Sequence, residues 1–217
     1  MMQRSAEPAK FEVLAVELSR GPLAWRAALR AWEWARTAPT RLRLPMLGAN
    51  VRLAPPISVV GCKAIRIGGG SSIWHHARLV ALNVRHGDIR IDIGRGVAIH
   101  PYAHISAIQR VSIGDGALFA SNVYITDHDH DWRNPNDPPI SNGRVLAAPV
   151  SIGANVWLGE RVCVLRGVTI GEGAIVGAGS VVTRSLPARC IAVGSPARAI
   201  RQWDESEQRW IPVEMPS

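Results

Sequence analysis

A repeat of six residues runs through most of this chain of 217 residues. An aliphatic or aromatic residue marks every sixth position. In order, and grouped in threes, these anchors are Leu47, Leu53 and Val59; Ile67, Ile73 and Leu79; Ile93, Ile99 and Ile105; Ile113, Phe119 and Ile125; Ile152, Leu158 and Val164; Ile170, Val176 and Val182. A period of six matches neither the 3.6-residue period of a helix nor the alternation of a simple β-sheet. Short strands joined by tight turns and wound as a parallel β-helix do have this period. We therefore predict an all-β solenoid of about six coils, with each anchor pointing into a narrow core.

Extra residues interrupt the repeat at one phase only. They follow Val59, Leu79, Ile105 and Ile125, each of which is the third anchor of its group. Coils of a triangular prism stack in register about 4.8 Å apart, so one tolerant corner explains why every insertion falls there. The longest insertion is predicted to be an extruded loop over residues 126–151. Long loops inside compact domains are usually functional or disordered, and this one contains TDHDHDWR.

The segment before the repeat is predicted to be helical. Residues 1–46 form an N-terminal helical extension, with a helix from Phe11 to Thr37 that breaks or restarts at Gly21-Pro22. Its tryptophans and arginines indicate either a weak contact with a membrane surface or packing against the solenoid end or a neighbouring subunit. We favour packing, because the tryptophans lie on different faces of the helix.

The solenoid is expected to occupy residues 47–187, followed by a C-terminal tail over residues 188–217. Within the tail, residues 197–209 are predicted to form a helix that caps the open end of the prism. Arg198 and Arg201 would then lie on one face near the start of that helix. A phosphate could be held there by both guanidinium groups and the helix N-terminus. Solvated arginines are the alternative.

Composition limits the compartment and the partners. Cys62, Cys163 and Cys190 are odd in number and far apart, which argues against a disulfide framework and favours a reducing, cytoplasmic location. No apolar run approaches the ~20 residues of a membrane-spanning helix, and the N-terminus lacks the apolar core of a signal peptide. The formal charge of +8 suits an anionic partner. The arginines are scattered, however, so we expect no binding to nucleic acid.

Three stretches connect the repeat with a known family: NVYITDHDH, then SIGANVWLGERVCVLRGVTIGEGAIVGAGSVVTRSLP, then AVGSPARAI. With them the chain resembles, over Leu47 to Arg201, the left-handed β-helix acyltransferases with hexapeptide repeats. The resemblance is strongest to the branch of sugar and surface-polysaccharide O-acetyltransferases. It implies a left-handed coil and a homotrimer in which acetyl-CoA lies in the groove between neighbouring prisms.

The resemblance also assigns roles to residues. It implies that His128, in the extruded loop, is the general base. The residues that match the CoA-contacting stretches, or lie beside them, are Trp157, Gly159, Glu160, Ala178, Thr183, Arg184, Arg198 and Arg201. A backbone N–H near Gly159 to Glu160 would stabilise the developing oxyanion. The candidates on the acceptor side are His104, Asp127 and His130. Here the chain departs from the family, because His104 falls where some sugar acetyltransferases have an acceptor-binding Asn.

The resemblance therefore implies transfer of an acetyl group from acetyl-CoA to a carbohydrate hydroxyl, in bacterial surface-polysaccharide assembly. An alcohol is a poor nucleophile until its proton is being removed, and histidine suits that task near neutral pH. Asp127, Asp129 or a carbonyl group would orient His128, and His130 is the competing base. Direct transfer is favoured, since no Ser or Cys occupies a nucleophile motif.

Three alternatives remain open at this point. The first is N-acetylation of an amino-sugar nucleotide. The second is a zinc enzyme similar to the γ-carbonic anhydrases, which bind zinc between subunits through three histidines. Its candidate ligands are His100, His104 and His128, although the spacing of the first two departs from that family and we expect no metal. The third is a β-helix scaffold without catalytic activity.

Overall fold

The computed structural model of the protein describes residues 23–213, with side chains described at 31, 32 and from 35 onward. The chain divides into two compact units between Ala38 and Pro39, which are described separately here. The part of the predicted N-terminal helix before residue 23 lies outside the described residues. Helix α1 (Leu23–Arg43) continues beyond the predicted end at Thr37. In the first unit, the guanidinium of Arg36 lies 4.4 Å from the centre of the Trp32 ring.

The second unit is a parallel β-helix with three flat faces, each of which is a sheet containing one strand from every coil. Face A consists of β1 (Met46–Leu47), β4 (Ile65–Ile67), β7 (Ile91–Ile93), β10 (Val111–Ile113), β15 (Val150–Ile152) and β18 (Thr169–Ile170). Face B consists of β2 (Arg52–Leu53), β5 (Ser72–Ile73), β8 (Ala98–Ile99), β11 (Leu118–Phe119), β16 (Trp157–Leu158) and β19 (Ile175–Val176). Face C consists of β3 (Ser58–Val60), β6 (Arg78–Ala81), β9 (His104–Ala107), β12 (Tyr124–Thr126), β17 (Cys163–Val164) and β20 (Val181–Val182). The predicted β-solenoid is therefore confirmed.

The six-residue anchors stack on one another inside the prism. Ile67 pairs in register with Ile93, and Phe119 pairs with Leu158. With the exception of half-buried Leu47, the anchors are buried, and Phe119 is 0% exposed. The glycines that follow many anchors are explained by the close approach of successive coils. A Cβ on Gly114 would lie 2.4 Å from the backbone nitrogen of Ala154 in the next coil, closer than any side chain tolerates.

The insertions all leave the prism between face C and face A, as predicted. They comprise a short 3-10 helix (Cys62–Ala64) and the segments at 82–90, 108–110 and 127–149. The longest is more regular than the extruded loop that we predicted over residues 126–151. It is an arm with a two-stranded antiparallel stem, β13 (His128–His130) and β14 (Val145–Ala147), and a helix α2 (Pro139–Asn142) near its tip. Thr126 and residues 150–151 belong to the prism.

The predicted C-terminal helix is wrong. Strand β21 (Cys190–Gly194) adds in parallel to β19, and β22 (Ala197–Asp204) and β23 (Arg209–Pro212) continue the same sheet as antiparallel strands. Face B would otherwise end in an open edge with unpaired backbone groups. This edge overrides the weak helical preference of residues 197–209. The rings of Trp203 and Trp210 pack edge to face, 5.4 Å apart, across the last pair.

Two further expectations concern cysteines and membranes. Cys62, Cys163 and Cys190 are all free thiols. In the described part of the chain, no helix has the length and the apolar character needed to cross a bilayer.

We expect Phe119→Ala to destabilise the prism strongly, because Phe119 is the largest side chain in the fully buried core. A buried Phe truncated to Ala costs about 3–5 kcal/mol when the cavity cannot collapse. Chemical denaturation monitored by circular dichroism measures the change. The matched control is Ile140→Ala at the arm tip, where the side chain is 92% exposed. Equal stability losses in the two variants would contradict the assigned core.

Candidate active site

The arm begins with a buried carboxylate at the corner between face C and face A. Asp127 is fully buried, and its two oxygens accept the backbone N–H groups of Ile108 (2.8 Å), Gln109 (2.7 Å) and Arg110 (2.7 Å). These three donors belong to the insertion of the preceding coil. A buried carboxylate costs free energy unless its oxygens are hydrogen-bonded. The three N–H groups meet that requirement, with Asp127 as their acceptor.

The same carboxylate holds the ring of His128. Asp127 Oδ1 lies 2.9 Å from His128 Nδ1, and the His128 side chain is 18% exposed. Because an ionised carboxylate can only accept, the hydrogen-bond network assigns the proton to Nδ1 and the free lone pair to Nε2. In the neutral imidazole, Nε2 can therefore accept a proton from a bound hydroxyl.

Thr126 fixes the backbone on the other side of this carboxylate. Its Oγ1 donates to the carbonyl oxygen of His128 (3.0 Å), accepts the His128 N–H (3.3 Å) and lies 3.3 Å from His128 Nδ1. The Ala148 N–H donates to the Asp127 carbonyl (2.8 Å) and closes the base of the arm. The position of His128 is therefore set by both chain segments that enter and leave the prism.

The neighbouring acidic and histidine residues have different surroundings. Asp129 pairs with Arg166, Nε to Oδ2 at 2.7 Å, and so does not orient His128. His130 is exposed, and its side chain makes no hydrogen bond within the described part of the chain. Of the two candidate bases, His128 alone has a held ring. For Asp127, full burial favours the orienting role over direct contact with an acceptor.

His104 lies on face C beside this corner. Its ring packs edge to face on Tyr124, with centroids 5.4 Å apart. Burial lowers the pKa of His104, and the nearby positive charge of Arg78 lowers that pKa further. The imidazole of His104 is therefore neutral at pH 7 and can donate one hydrogen bond and accept another.

The residues expected to contact CoA fall into three places. Gly159, Glu160 and Ala178 lie together at the corner between faces B and C, where the Gly179 N–H donates to the Glu160 carbonyl (2.8 Å). Trp157 is 49% exposed on face B. Thr183 and Arg184 are exposed at the corner from which the arm leaves on earlier coils, after β20. Arg198 and Arg201 lie in β22.

The structure adds one detail to this set and corrects one expectation. The Gly159 N–H donates to the Val176 carbonyl (2.8 Å), so it is committed to coil pairing. The Glu160 N–H makes no such bond among the described residues. The phosphate site at a helix N-terminus is wrong, because Arg198 and Arg201 belong to a strand. Arg201 is exposed, and Arg198 Nη1 donates to the Ala197 carbonyl (2.9 Å).

The zinc alternative can be compared with the positions of its proposed ligands. No group of three or more His, Cys, Asp or Glu side chains is arranged to hold a metal within the described residues. His100 instead lies against Trp74, with ring centroids 5.6 Å apart, and His104 and His128 have the neighbours given above. Within one chain, the three histidines do not form a common ligand set.

Comparisons with known proteins place this chain in a class of transferases. The family profile described as bacterial transferase hexapeptide, with six repeats, matches residues 149–184. Over 138 residues the chain is 41% identical to a provisionally named lipopolysaccharide biosynthesis O-acetyl transferase, WbbJ of Escherichia coli K12, covering 56% of this chain and 69% of that protein. It is 36% identical over 124 residues to galactoside O-acetyltransferase of the same organism, covering 55% and 58%.

Solved structures agree. A point mutant of AntD, an N-acyltransferase from Bacillus cereus in complex with dTDP-4-amino-4,6-dideoxyglucose and coenzyme A, has a TM-score of 0.67 at 24% identity, covering 79% of this chain and 91% of that one. This likeness shows the fold. A galactoside acetyltransferase in complex with coenzyme A has a TM-score of 0.51 at 25% identity, covering 78% and 72%. The chain belongs to the hexapeptide-repeat acyltransferase family, which confirms the class indicated by its motifs.

The arm carries an ion-pair cluster that makes a pH-dependent prediction. Asp131 is buried and accepts Arg133 Nε (2.8 Å) and Nη2 (2.7 Å), with Arg144 Nε at 3.5 Å. The hydrogen bonds from Arg133, with the charge of Arg144, hold the pKa of Asp131 well below its usual range. The carboxylate therefore stabilises the fold above the unfolded pKa of about 4, and this contribution is lost as pH falls through the folded pKa.

We expect Asp131→Asn to lower the melting temperature at pH 7, and the difference from the wild type to shrink below about pH 4. Thermal unfolding followed across this pH range provides the measurement. Glu172→Gln, at an exposed carboxylate with no ion pair among the described residues, should show little difference at either pH. A melting-temperature difference for Asp131→Asn that stays constant from neutral to acidic pH would contradict the assigned role.

Proposed function

We propose that this protein transfers an acetyl group from acetyl-CoA to a hydroxyl group of a carbohydrate, with His128 as the general base. The chain is an acetyl-CoA-dependent acetyltransferase of the hexapeptide-repeat family. The observation that carries the proposed role of His128 is its hydrogen bond to buried Asp127. In the neutral imidazole that bond places the proton on Nδ1 and the lone pair on Nε2, which can accept the proton of a hydroxyl group.

The chemistry follows from this arrangement. Acetyl-CoA supplies the acetyl group as a thioester, whose thiolate is a good leaving group. His128 Nε2 takes the proton of the acceptor hydroxyl as that oxygen forms its bond to the acetyl carbon. The carboxylate of Asp127 stabilises the imidazolium that results. His128 then returns the proton to the sulfur as the carbon–sulfur bond breaks, so that proton and charge balance without any covalent enzyme intermediate.

The proposed CoA contacts suit the two ends of that molecule. Half-exposed Trp157 offers an aromatic face, and exposed Arg184 and Arg201 can pair with phosphates. Gly159 is required by the coil spacing, since a Cβ there would lie 2.6 Å from the Ala178 nitrogen. The free Glu160 N–H is the proposed oxyanion donor. The full proposed set is Trp157, Gly159, Glu160, Ala178, Thr183, Arg184, Arg198 and Arg201.

The assembly and the pathway are part of the same proposal. We infer left-handed winding and a homotrimer from the family resemblance. The similarity to a lipopolysaccharide biosynthesis O-acetyl transferase supports a role in bacterial surface-polysaccharide assembly. Thiol release in a screen of neutral sugars, acidic sugars and amino sugars, with product identification by mass spectrometry, tests this choice. A product acetylated on nitrogen would show that the protein is an N-acetyltransferase and would contradict the proposed O-acetylation.

His128→Gln is expected to lower kcat by roughly 10²–10⁴-fold, because the acceptor proton loses its base. Release of the CoA thiol, measured at saturating acetyl-CoA, reports the rate. His130→Gln provides the matched control and should keep most of the activity, since the His130 side chain is exposed and not held. Full turnover by His128→Gln, or an equal loss in His130→Gln, would rule out the proposed base.

Asp127→Asn tests the orienting carboxylate. The Asn amide has one accepting oxygen and one donating nitrogen. It therefore cannot accept hydrogen bonds from three backbone N–H groups and from His128 Nδ1, and the ring loses its fixed tautomer. We expect kcat to fall roughly 10²-fold or more while the KM values change little. The double variant Asp127→Asn/His128→Gln should be no slower than His128→Gln alone.

The control for this test is Asp129→Asn, which removes only the contact with Arg166. Circular dichroism must show that Asp127→Asn is folded, since buried Asp127 also joins two insertions. A change in KM alone, or losses that add fully in the double variant, would show that Asp127 does not act through His128.

A further inference from the structure

The outward polar side chains of faces A and C differ in whether they are already paired. On face A, Arg66 donates through Nε (2.7 Å) and Nη2 (2.5 Å) to Asp92, which also accepts Arg110 Nη2 (2.8 Å). The hydroxyls of Ser112 and Ser151 lie 3.3 Å apart. These polar side chains of face A therefore bond to one another, and the carboxylate of Asp92 lies between the two arginines.

Face C presents a column of polar groups without such partners. Arg78, His104 and Tyr124 lie in register on β6, β9 and β12. Arg78 is exposed, and in the described part of the chain it makes no hydrogen bond or ion pair. His104 and Tyr124 contact each other only through their rings. The aligned outward residues of the six face C strands are Ser58, Arg78, His104, Tyr124, Cys163 and Val181. None of them is a carboxylate.

This column lies next to the proposed base. The pKa of His104 is lowered first by burial and then by electrostatic interaction with Arg78 and with His128, so both side chains lie within electrostatic reach of its ring. With His104 neutral, Arg78 is the permanent positive charge of the column. Arg78 and Tyr124 are two coils apart, or about 10 Å, a span suited to a small saccharide.

The strand geometry bounds the column on both sides. His76 and Tyr102, each two residues before a column residue, stack in parallel with ring centroids 4.9 Å apart and form an aromatic wall. At the opposite end of the face C strands, Thr126 leads from β12 into the arm and His128. A ligand on the column thus lies between an aromatic wall and the base.

We propose that Arg78, His104 and Tyr124 form the acceptor subsite and that Arg78 selects an acceptor saccharide carrying an anionic group. This inference rests on the proposed function of carbohydrate O-acetylation. A guanidinium pairs with the oxygens of a carboxylate or phosphate through two parallel hydrogen bonds. His104 and Tyr124 supply neutral donors and acceptors for sugar hydroxyls. The anion is either the carboxylate of an acidic sugar or the phosphate of a phosphorylated one.

The test compares matched acceptors with the full-length protein and acetyl-CoA. Each set contains a neutral methyl hexoside, the corresponding hexuronic acid and the corresponding 6-phosphate, in the gluco, galacto and manno series. Rates of thiol release give kcat/KM, and mass spectrometry identifies the acetylated product. We expect one of the two anionic members to exceed its neutral counterpart by roughly 10- to 100-fold. The member preferred identifies the source of the charge.

Variants assign that preference to Arg78. Arg78→Gln is expected to abolish the ratio of anionic to neutral kcat/KM, and Arg78→Lys to retain part of it, because the charge remains but the two-bond geometry is lost. Arg52→Gln is the control, since Arg52 is an exposed arginine on face B that has no ion pair in the described structure. It should keep the wild-type ratio.

The possible failures are distinguishable. Equal acetylation of neutral and anionic sugars by the wild type would overturn the role of Arg78 and leave carbohydrate O-acetylation intact. The same holds if Arg78→Gln keeps the wild-type ratio. Acetylation of no sugar at all, charged or neutral, would overturn the proposed function and this inference together.

Discussion

The stacking of successive coils in register is the constraint on which the rest of this structure depends. Strands of two to four residues are too short to persist alone, so each relies on parallel backbone hydrogen bonds to the coils on either side. The spacing of about 4.8 Å leaves no room for a Cβ at positions such as Gly114. The same spacing forces equivalent side chains into one narrow core. Extra residues can therefore leave the prism only where they do not disturb the ladder, and here that is a single corner.

Register also explains how one repeat supports three unlike surfaces. Inward positions are constrained to be apolar and compact, whereas outward positions are free to vary from face to face. Face A carries the Arg66–Asp92–Arg110 network, and face B carries the exposed side chains of Leu118 and Trp157. Face C carries polar groups that are left unpaired. The function proposed for this protein uses that division, since the acceptor is assigned to face C and CoA to the neighbouring corners and to Trp157 on face B.

The candidate catalytic site depends on cooperation between two insertions of consecutive coils. Asp127, in the arm, would be a costly buried charge by itself. The backbone of residues 108–110 in the preceding insertion supplies three N–H groups to its oxygens, so the charge is stabilised without any basic side chain. The carboxylate then has one remaining partner, His128 Nδ1. Stacked insertions at one corner thus produce an oriented base in a fold whose regular part contains no loops.

The sequence by itself determined the solenoid, the burial of the anchors and the corner from which the arm leaves, because a strict period of six has few other structural solutions. Its motifs also identified the family and proposed His128. The strands of the C-terminal tail, the hairpin stem of the arm and the pairing of Asp129 with Arg166 were decided only by the tertiary structure. So was the choice of Asp127 as the residue that orients His128. Each of these depends on contacts between segments distant in sequence, such as an open sheet edge or the N–H groups of Ile108 to Arg110. The local sequence pattern does not indicate such contacts.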